Sequence, residues 1–258
     1  MRTKVGFRFM IGVVIVLFAV FKYCSSAETN PYTGKEQHIT ISPDEEVALG
    51  LRSAPQMAAQ FGGLHPSREA QALVDAVGNK LVANTVARET PYSFEFHLLA
   101  DPSTINAFAL PGGQIFITYG LFTKLETEGQ LAGVLGHEIG HVVGRHSADQ
   151  MSKQGLTQGI LSGVAIGSES VATTQMAAVV ANMINMKYGR SDELESDDLG
   201  VRFMIRSGYD PHDMIGVQQI LKSAAGPNRT PEFQSTHPDP DNRIAHIRAA
   251  IEKYGYPQ

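Results

Sequence analysis

Residues 137–141 read His-Glu-Ile-Gly-His, and this run limits the possible folds more than any other feature of the chain. It lies in a segment with its own helix start: Thr127 and Gln130 have the spacing of a capping box, and Glu128 suits the positive end of a helix. Leu131, Val134, Leu135, Ile139 and Val142 then recur as one buried stripe. Residues four apart on a helix share a face, so His137 and His141 can each bring a nitrogen to ~2.0–2.1 Å from one zinc ion. Glu138 is rotated away from both and is free to act on a water molecule. The fold must therefore bury this helix and bring up a further ligand, because a catalytic zinc site takes three protein ligands and keeps one position open.

The chain has one cysteine, Cys24, which rules out an intramolecular disulfide and a cysteine-rich zinc site. The third ligand is then His, Asp or Glu. His146 is near in sequence, but at about 100° per residue it falls opposite His137 on a continuing helix, so it reads as a supporting or structural residue. The long H-E-x-x-H-x-x-G-x-x-H pattern fails, since Gly144 fits but position 147 is serine. The acidic run Ser191 to Asp198 is the better source. Glu193 and Asp197 are four apart on a predicted helix, so one can bind metal while the other fixes the tautomer of a ligand histidine.

The rest of the chain reads as α+β and mainly helical, with a small three-stranded sheet and about six helices. Ser42-Pro43-Asp44-Glu45 starts a helix that runs to about Phe61, where Gly62-Gly63 ends it. A second helix covers about Ser67 to Val86. Tyr92, Phe94, Phe96 and Leu98 alternate, which predicts a strand over 92–100. Asn106–Leu110 and Gln114–Tyr119 are extended segments around the Pro111-Gly112-Gly113 turn. The second of these is expected to offer an open edge where Gly113, Gln114, Ile115 and Phe116 receive an extended chain. Residues 155–186, low in charge, suggest an apolar helical hairpin or a flap. Further helices run from about Ser191 to Ser207, from Asp210-Pro211, and from Asp239-Pro240 to Gly255.

The first 27 residues stand apart. Arg2, Lys4 and Arg8 precede an apolar run from Phe9 to Phe21, and no acidic residue occurs before Glu28. This is the pattern of a secretory signal, with Ser25 and Ala27 placed for cleavage after Ala27. The alternative is a retained anchor from Val5 to Phe21 with Arg8 reaching the interface. Phe21-Lys22-Tyr23 before Cys24 is too bulky and charged for a lipidation box. Either outcome places the body outside the cytoplasm. Residues 28–41 read as a linker and 42–258 as the catalytic domain. Without residues 1–27 the chain keeps 17 basic against 26 acidic residues, a formal charge of −9. That acidic, thiol-free body suits an oxidising compartment and argues against nucleic acid as a partner.

Four segments together carry a family resemblance: Asn106-Ala107-Phe108-Ala109-Leu110-Pro111-Gly112-Gly113, Leu131 to His141, Tyr188-Gly189-Arg190 with Glu193 and Asp197, and Thr236-His237-Pro238 with Arg243. The chain resembles the HtpX and CaaX-prenyl-protease family of zinc metallopeptidases, of gluzincin type, in particular its periplasmic BepA- and LoiP-like branch, over about Ser42 to Tyr254. Ser196 stands where the family usually has alanine. The resemblance implies a zincin-like domain with one zinc ion per chain held by His137, His141 and Glu193. It implies Glu138 as general base, Asp197 supporting the ligands, and His237 near the metal as a stabiliser of the intermediate or a cap on the zinc. Arg190 and Arg243 would brace the site. The expected substrate is unfolded or misassembled envelope polypeptide, met in the bacterial periplasm or at the outer face of the inner membrane. The alternative is a closed, His237-capped protein acting as a chaperone or assembly factor.

Overall fold

The computed structural model describes residues 2–167, 186–224, 232–237 and 243–256. An N-terminal helix α1 (Arg2–Cys24) leads into two short strands, β1 (Ala27–Thr29) and β2 (Glu36–His38), then helices α2 (Pro43–Gln60) and α3 (Arg68–Ala83) and a 3₁₀ turn at Val86–Glu89. Strands β3 (Glu95–Leu99), β4 (Ala107–Ala109) and β5 (Gln114–Thr118) follow, then the one-turn α4 (Tyr119–Phe122), α5 (Glu128–Val143) and α6 (His146–Gly167). After the gap come α7 (Arg190–Arg206), α8 (Asp213–Ala224), the short α9 (Glu232–Thr236) and α10 (Arg243–Lys253). The mainly helical α+β architecture expected from the sequence is present.

Local chemistry sets most boundaries. Ser42 and Glu45 close the capping box of α2, with Ser42 N–H donating to Glu45 Oε2 at 2.7 Å and Glu45 N–H to Ser42 Oγ at 3.3 Å. Gly62 and Gly63 end that helix region at φ +79° and +83°. At α5, Gln130 N–H donates to Thr127 Oγ1 at 3.0 Å, but the Gln130 side chain reaches the N–H of Glu126 rather than that of Thr127. The second predicted helix stops earlier than expected, at Ala83, because Thr85 caps a separate 3₁₀ turn.

Every residue of α5 after Glu128 is buried. It lies between α7, α8, α3 and β4, and its contact with α7 is backbone to backbone. A Cβ on Gly140 would stand 3.1 Å from Ser196 Cα, and one on Gly136 would stand 3.5 Å from Gly200 Cα. Small residues on both helices let the axes approach closely, which sets Glu193 and Asp197 against the histidines. Ser196 keeps this fit because serine adds only a hydroxyl to alanine.

The sheet order is β3-β5-β4, with β5 parallel to β3 and antiparallel to β4. This corrects the expectation of an open edge at Gly113–Phe116. β5 is the central strand, hydrogen-bonded on both sides and buried throughout. Its continuous apolar character reflects burial on both faces rather than an exposed edge. The far side of β4 is a free edge of the sheet among the described residues. Thr118 N–H donates to Asn106 O at 3.0 Å and Leu110 N–H to Gln114 O at 2.8 Å. By antiparallel alternation the backbone groups of Ala107 and Ala109 then face away from β5.

Residues 28–41 are not a linker. β1 and β2 pair antiparallel, and Asn30 and Gln37 are buried and donate to Val143 O and Gly144 O at the end of α5. Two side-chain amides thus satisfy helix carbonyls that have no partner inside the helix. The sequence hides this because a three-residue strand is too short to show alternation.

Helix α1 is longer than its apolar run. Phe7–Cys24 has mean hydropathy 2.0 and is long and apolar enough to cross a membrane. It packs along α6, with Ala19 so close to Gly159 that a Cβ there would clash at 2.5 Å. The first part of the predicted apolar segment 155–186 is thus helical; 168–185 lie outside the described residues, as does the predicted start of the last helix at Asp239-Pro240.

Candidate active site

One turn of α5 places His137 and His141 side by side, with their Nε2 atoms 3.0 Å apart. From the first turn of α7, Glu193 brings Oε2 to 3.4 Å from His137 Nε2 and Oε1 to 3.5 Å from His141 Nε2. His237, just past α9, sets Nδ1 3.0 Å from Glu193 Oε1 and 3.3 Å from His137 Nε2. Donor atoms of these four buried residues all lie within 4.8 Å of one another. The sequence-predicted ligands are therefore brought together, and His237 joins them.

Asp197 accepts from His137 Nδ1 at 2.9 Å. It is held in turn by Arg243, whose Nε donates at 2.6 Å to Oδ2 and whose second nitrogen donates at 2.8 Å to Oδ1. Arg243 also lies 3.4 Å from Glu193 Oε2. Its guanidinium thus touches both carboxylates of the cluster. Arg190 lies exposed at the first position of α7.

The charges are strongly coupled. Burial would push His137 down, but its carboxylate partners Asp197 and Glu193 raise it to about 9. Burial holds His141 far below its ordinary range. Burial also acts to raise Glu193, yet His237 and the other two histidines hold its carboxyl well below the usual range. Arg243 does the same for Asp197 against its burial. Burial raises Glu138, which sits beside the cluster with Oε1 3.6 Å from His237 Nε2.

A cation fits this cluster. Two imidazole nitrogens face each other beside a carboxylate, and Glu193 Oε2, His237 Nε2 and both oxygens of Glu138 are buried without a hydrogen-bond partner. Buried polar groups left in this way are costly. A nitrogen-and-carboxylate donor set satisfies them by taking a divalent ion.

Residues 68–251 match the peptidase family M48. The chain belongs to this family. It is similar to the beta-barrel assembly-enhancing protease of Escherichia coli K12, at 30% identity over 92% of this chain and 49% of the relative. For the Yersinia pestis protein of the same name the values are 32%, 84% and 46%. It is also similar to the mitochondrial metalloendopeptidase OMA1 of Schizosaccharomyces pombe, at 28% identity over 93% of this chain and 71% of that protein. The chain spans about half the length of the bacterial relatives it matches. The M48 match begins at residue 68, so α1, β1, β2 and α2 lie outside it.

Sequence reasoning misplaced one residue. His146 is not on the far side of the catalytic helix: its Nδ1 is 2.9 Å from His141 Nδ1. The helix does not continue through it. Arg145 takes φ +55°, and this left-handed residue redirects the chain, so angular extrapolation from His137 fails. Arg145 is held there by Glu46, Glu28 and the carbonyl of Ile41. Two aromatic residues were also missed as site components. Tyr188 stacks on His141 at 3.9 Å, and Phe233 stacks on His237 at 4.4 Å. Phe233 precedes His237 by four residues, a helical spacing that could have revealed it.

Proposed function

We propose that this protein is a zinc-dependent endopeptidase, one zinc per chain, that hydrolyses peptide bonds of unfolded or misassembled envelope proteins. The observation that carries this reading is the convergence of His137, His141 and Glu193 beside Glu138, a buried carboxyl whose oxygens have no hydrogen-bond partner. A zinc ion held there supplies Lewis-acid polarisation of the scissile carbonyl and makes the attacking water more acidic. Glu138 takes the water's proton and returns it to the leaving amine. Asp197 and Arg243 hold His137 in the tautomer that presents Nε2 to the metal. The edge of β4, at Ala107 and Ala109, pairs with an extended substrate strand, a mode that selects unfolded chain over particular side chains. The names of the bacterial relatives support an envelope substrate. The length and hydropathy of α1 and its packing on α6 support a retained anchor holding the domain outside the cytoplasm.

The test uses the full chain in detergent. Wild type is expected to carry one zinc per chain and to cleave casein. Stripping with a chelator is expected to stop cleavage and adding zinc back to restore it. A chain that binds no metal would sink the reading.

One observation favours a second, latent state. His237 lies 3.6 Å from Glu138 and at hydrogen-bond distance from Glu193, contacts that support a closed form in which it takes the place of a substrate carbonyl. His237→Ala is then expected to raise casein cleavage by about tenfold if the closed form outnumbers the open one by that factor. A fall in cleavage with zinc retained would instead assign His237 to stabilising the intermediate.

A further inference from the structure

His141 needs an acceptor for its second nitrogen. A metal ion on Nε2 leaves the proton on Nδ1, and the neighbour of Nδ1 is His146 Nδ1 at 2.9 Å. His146 must accept there, so its own proton sits on Nε2. That nitrogen lies 2.9 Å from Glu195 Oε2, which also accepts from Lys35 Nζ at 3.0 Å. Lys35 is anchored at its other side by Asp192 Oδ1 at 2.6 Å. The direction of every proton in this chain follows from the single requirement that His141 Nε2 be free.

We propose that His146, Glu195 and Lys35 form a relay that positions the metal ligand His141, so that the strand pair before α2 is part of the metal centre. The proposal rests on the metal reading above. It makes the two ligand histidines equivalent in design. His137 is backed by Asp197 and then Arg243, and His141 by His146, Glu195 and then Lys35. Each line ends in a fixed cation. His146, Asp192 and Glu195 could themselves surround a small cation, but the Lys35 ammonium already supplies that charge. Lys35 lies outside the M48 match and is held in place by its carbonyl, which accepts from Asn30 N–H at 2.8 Å. The side chain of Asn30 donates to Val143 O at the end of the catalytic helix.

Zinc affinity of the full chain, measured by competition with a chromophoric chelator, tests the relay without any assay of activity. His146→Leu removes the acceptor and is expected to weaken zinc binding about 10–100-fold. His146→Gln, whose side-chain carbonyl can accept, is expected to recover most of that loss. Lys35→Met is expected to weaken binding in the same direction by less than tenfold. A merely structural His146 would lower the melting temperature of the zinc-free protein in the Leu and Gln variants alike and give no rescue. Wild-type zinc affinity in His146→Leu overturns the relay alone. Wild type without zinc affinity overturns the metal reading and the relay with it.

Discussion

Glu138→Gln is expected to lower the rate of casein cleavage by about 10²–10⁴-fold, the range lost with a general base, while zinc content stays at one per chain. Glutamine keeps the shape of the side chain but cannot take a proton from water. Glu138 is fully buried, neither oxygen has a hydrogen-bond partner, and burial raises its pKa. Its carboxylate faces His237 Nε2 at 3.6 Å but makes no hydrogen bond, so replacing it breaks none. The melting temperature of the variant should stay close to that of wild type, since a buried carboxyl without hydrogen bonds gives way to a side chain of the same shape. Zinc content, casein cleavage and thermal unfolding of the same preparations check the three statements together. Cleavage near the wild-type rate would show that the proton goes elsewhere. Loss of zinc would show that Glu138 is a ligand.

How much of this was legible in the sequence depended on the distance over which each signal acts. Helix α5 was readable because its cap, its stripe and its two histidines all lie within one segment. The pairing of Glu193 with Asp197 was readable for the same reason, and the small residues Gly136, Gly140, Ser196 and Gly200 that join α5 to α7 stood in plain view without announcing their contact. The status of β5 was not readable. A buried central strand and an edge strand of similar composition look alike until the partners of both sides are known. His146 was lost to one dihedral: Arg145 in the left-handed region is held by Glu28, Ile41 and Glu46, all roughly a hundred residues earlier in the chain. The strand pair at Ala27–His38 was missed because its strands are too short to show alternation and the side-chain bonds that tie it down run to the distant α5 and α7.

Arg243→Met is expected to destabilise the protein by about 3–5 kcal/mol, the cost of leaving a buried charge without its partner. Arg243 is 2% exposed and Asp197 is fully buried, with bonds of 2.6 and 2.8 Å between them. Glu193 lies 3.4 Å away on the same guanidinium. Removing Arg243 leaves Asp197 with His137 as its remaining partner among the described residues, and the acceptor that fixes the tautomer of that ligand histidine loses its own anchor. Zinc affinity should therefore fall together with stability. Asp197→Asn alone should also be costly, since Arg243 loses both of its short charged bonds to that carboxylate. The double variant Asp197→Asn/Arg243→Met should cost less than the sum of the two, because neither partner is then left as an unpaired charge. Urea unfolding of the four zinc-free proteins measures that coupling, and chelator competition measures the metal. Additive losses would mean that the arginine acts through packing alone. Strong coupling in stability with unchanged zinc affinity would confine the pair to holding the fold and leave the orientation of His137 to the helix that carries it.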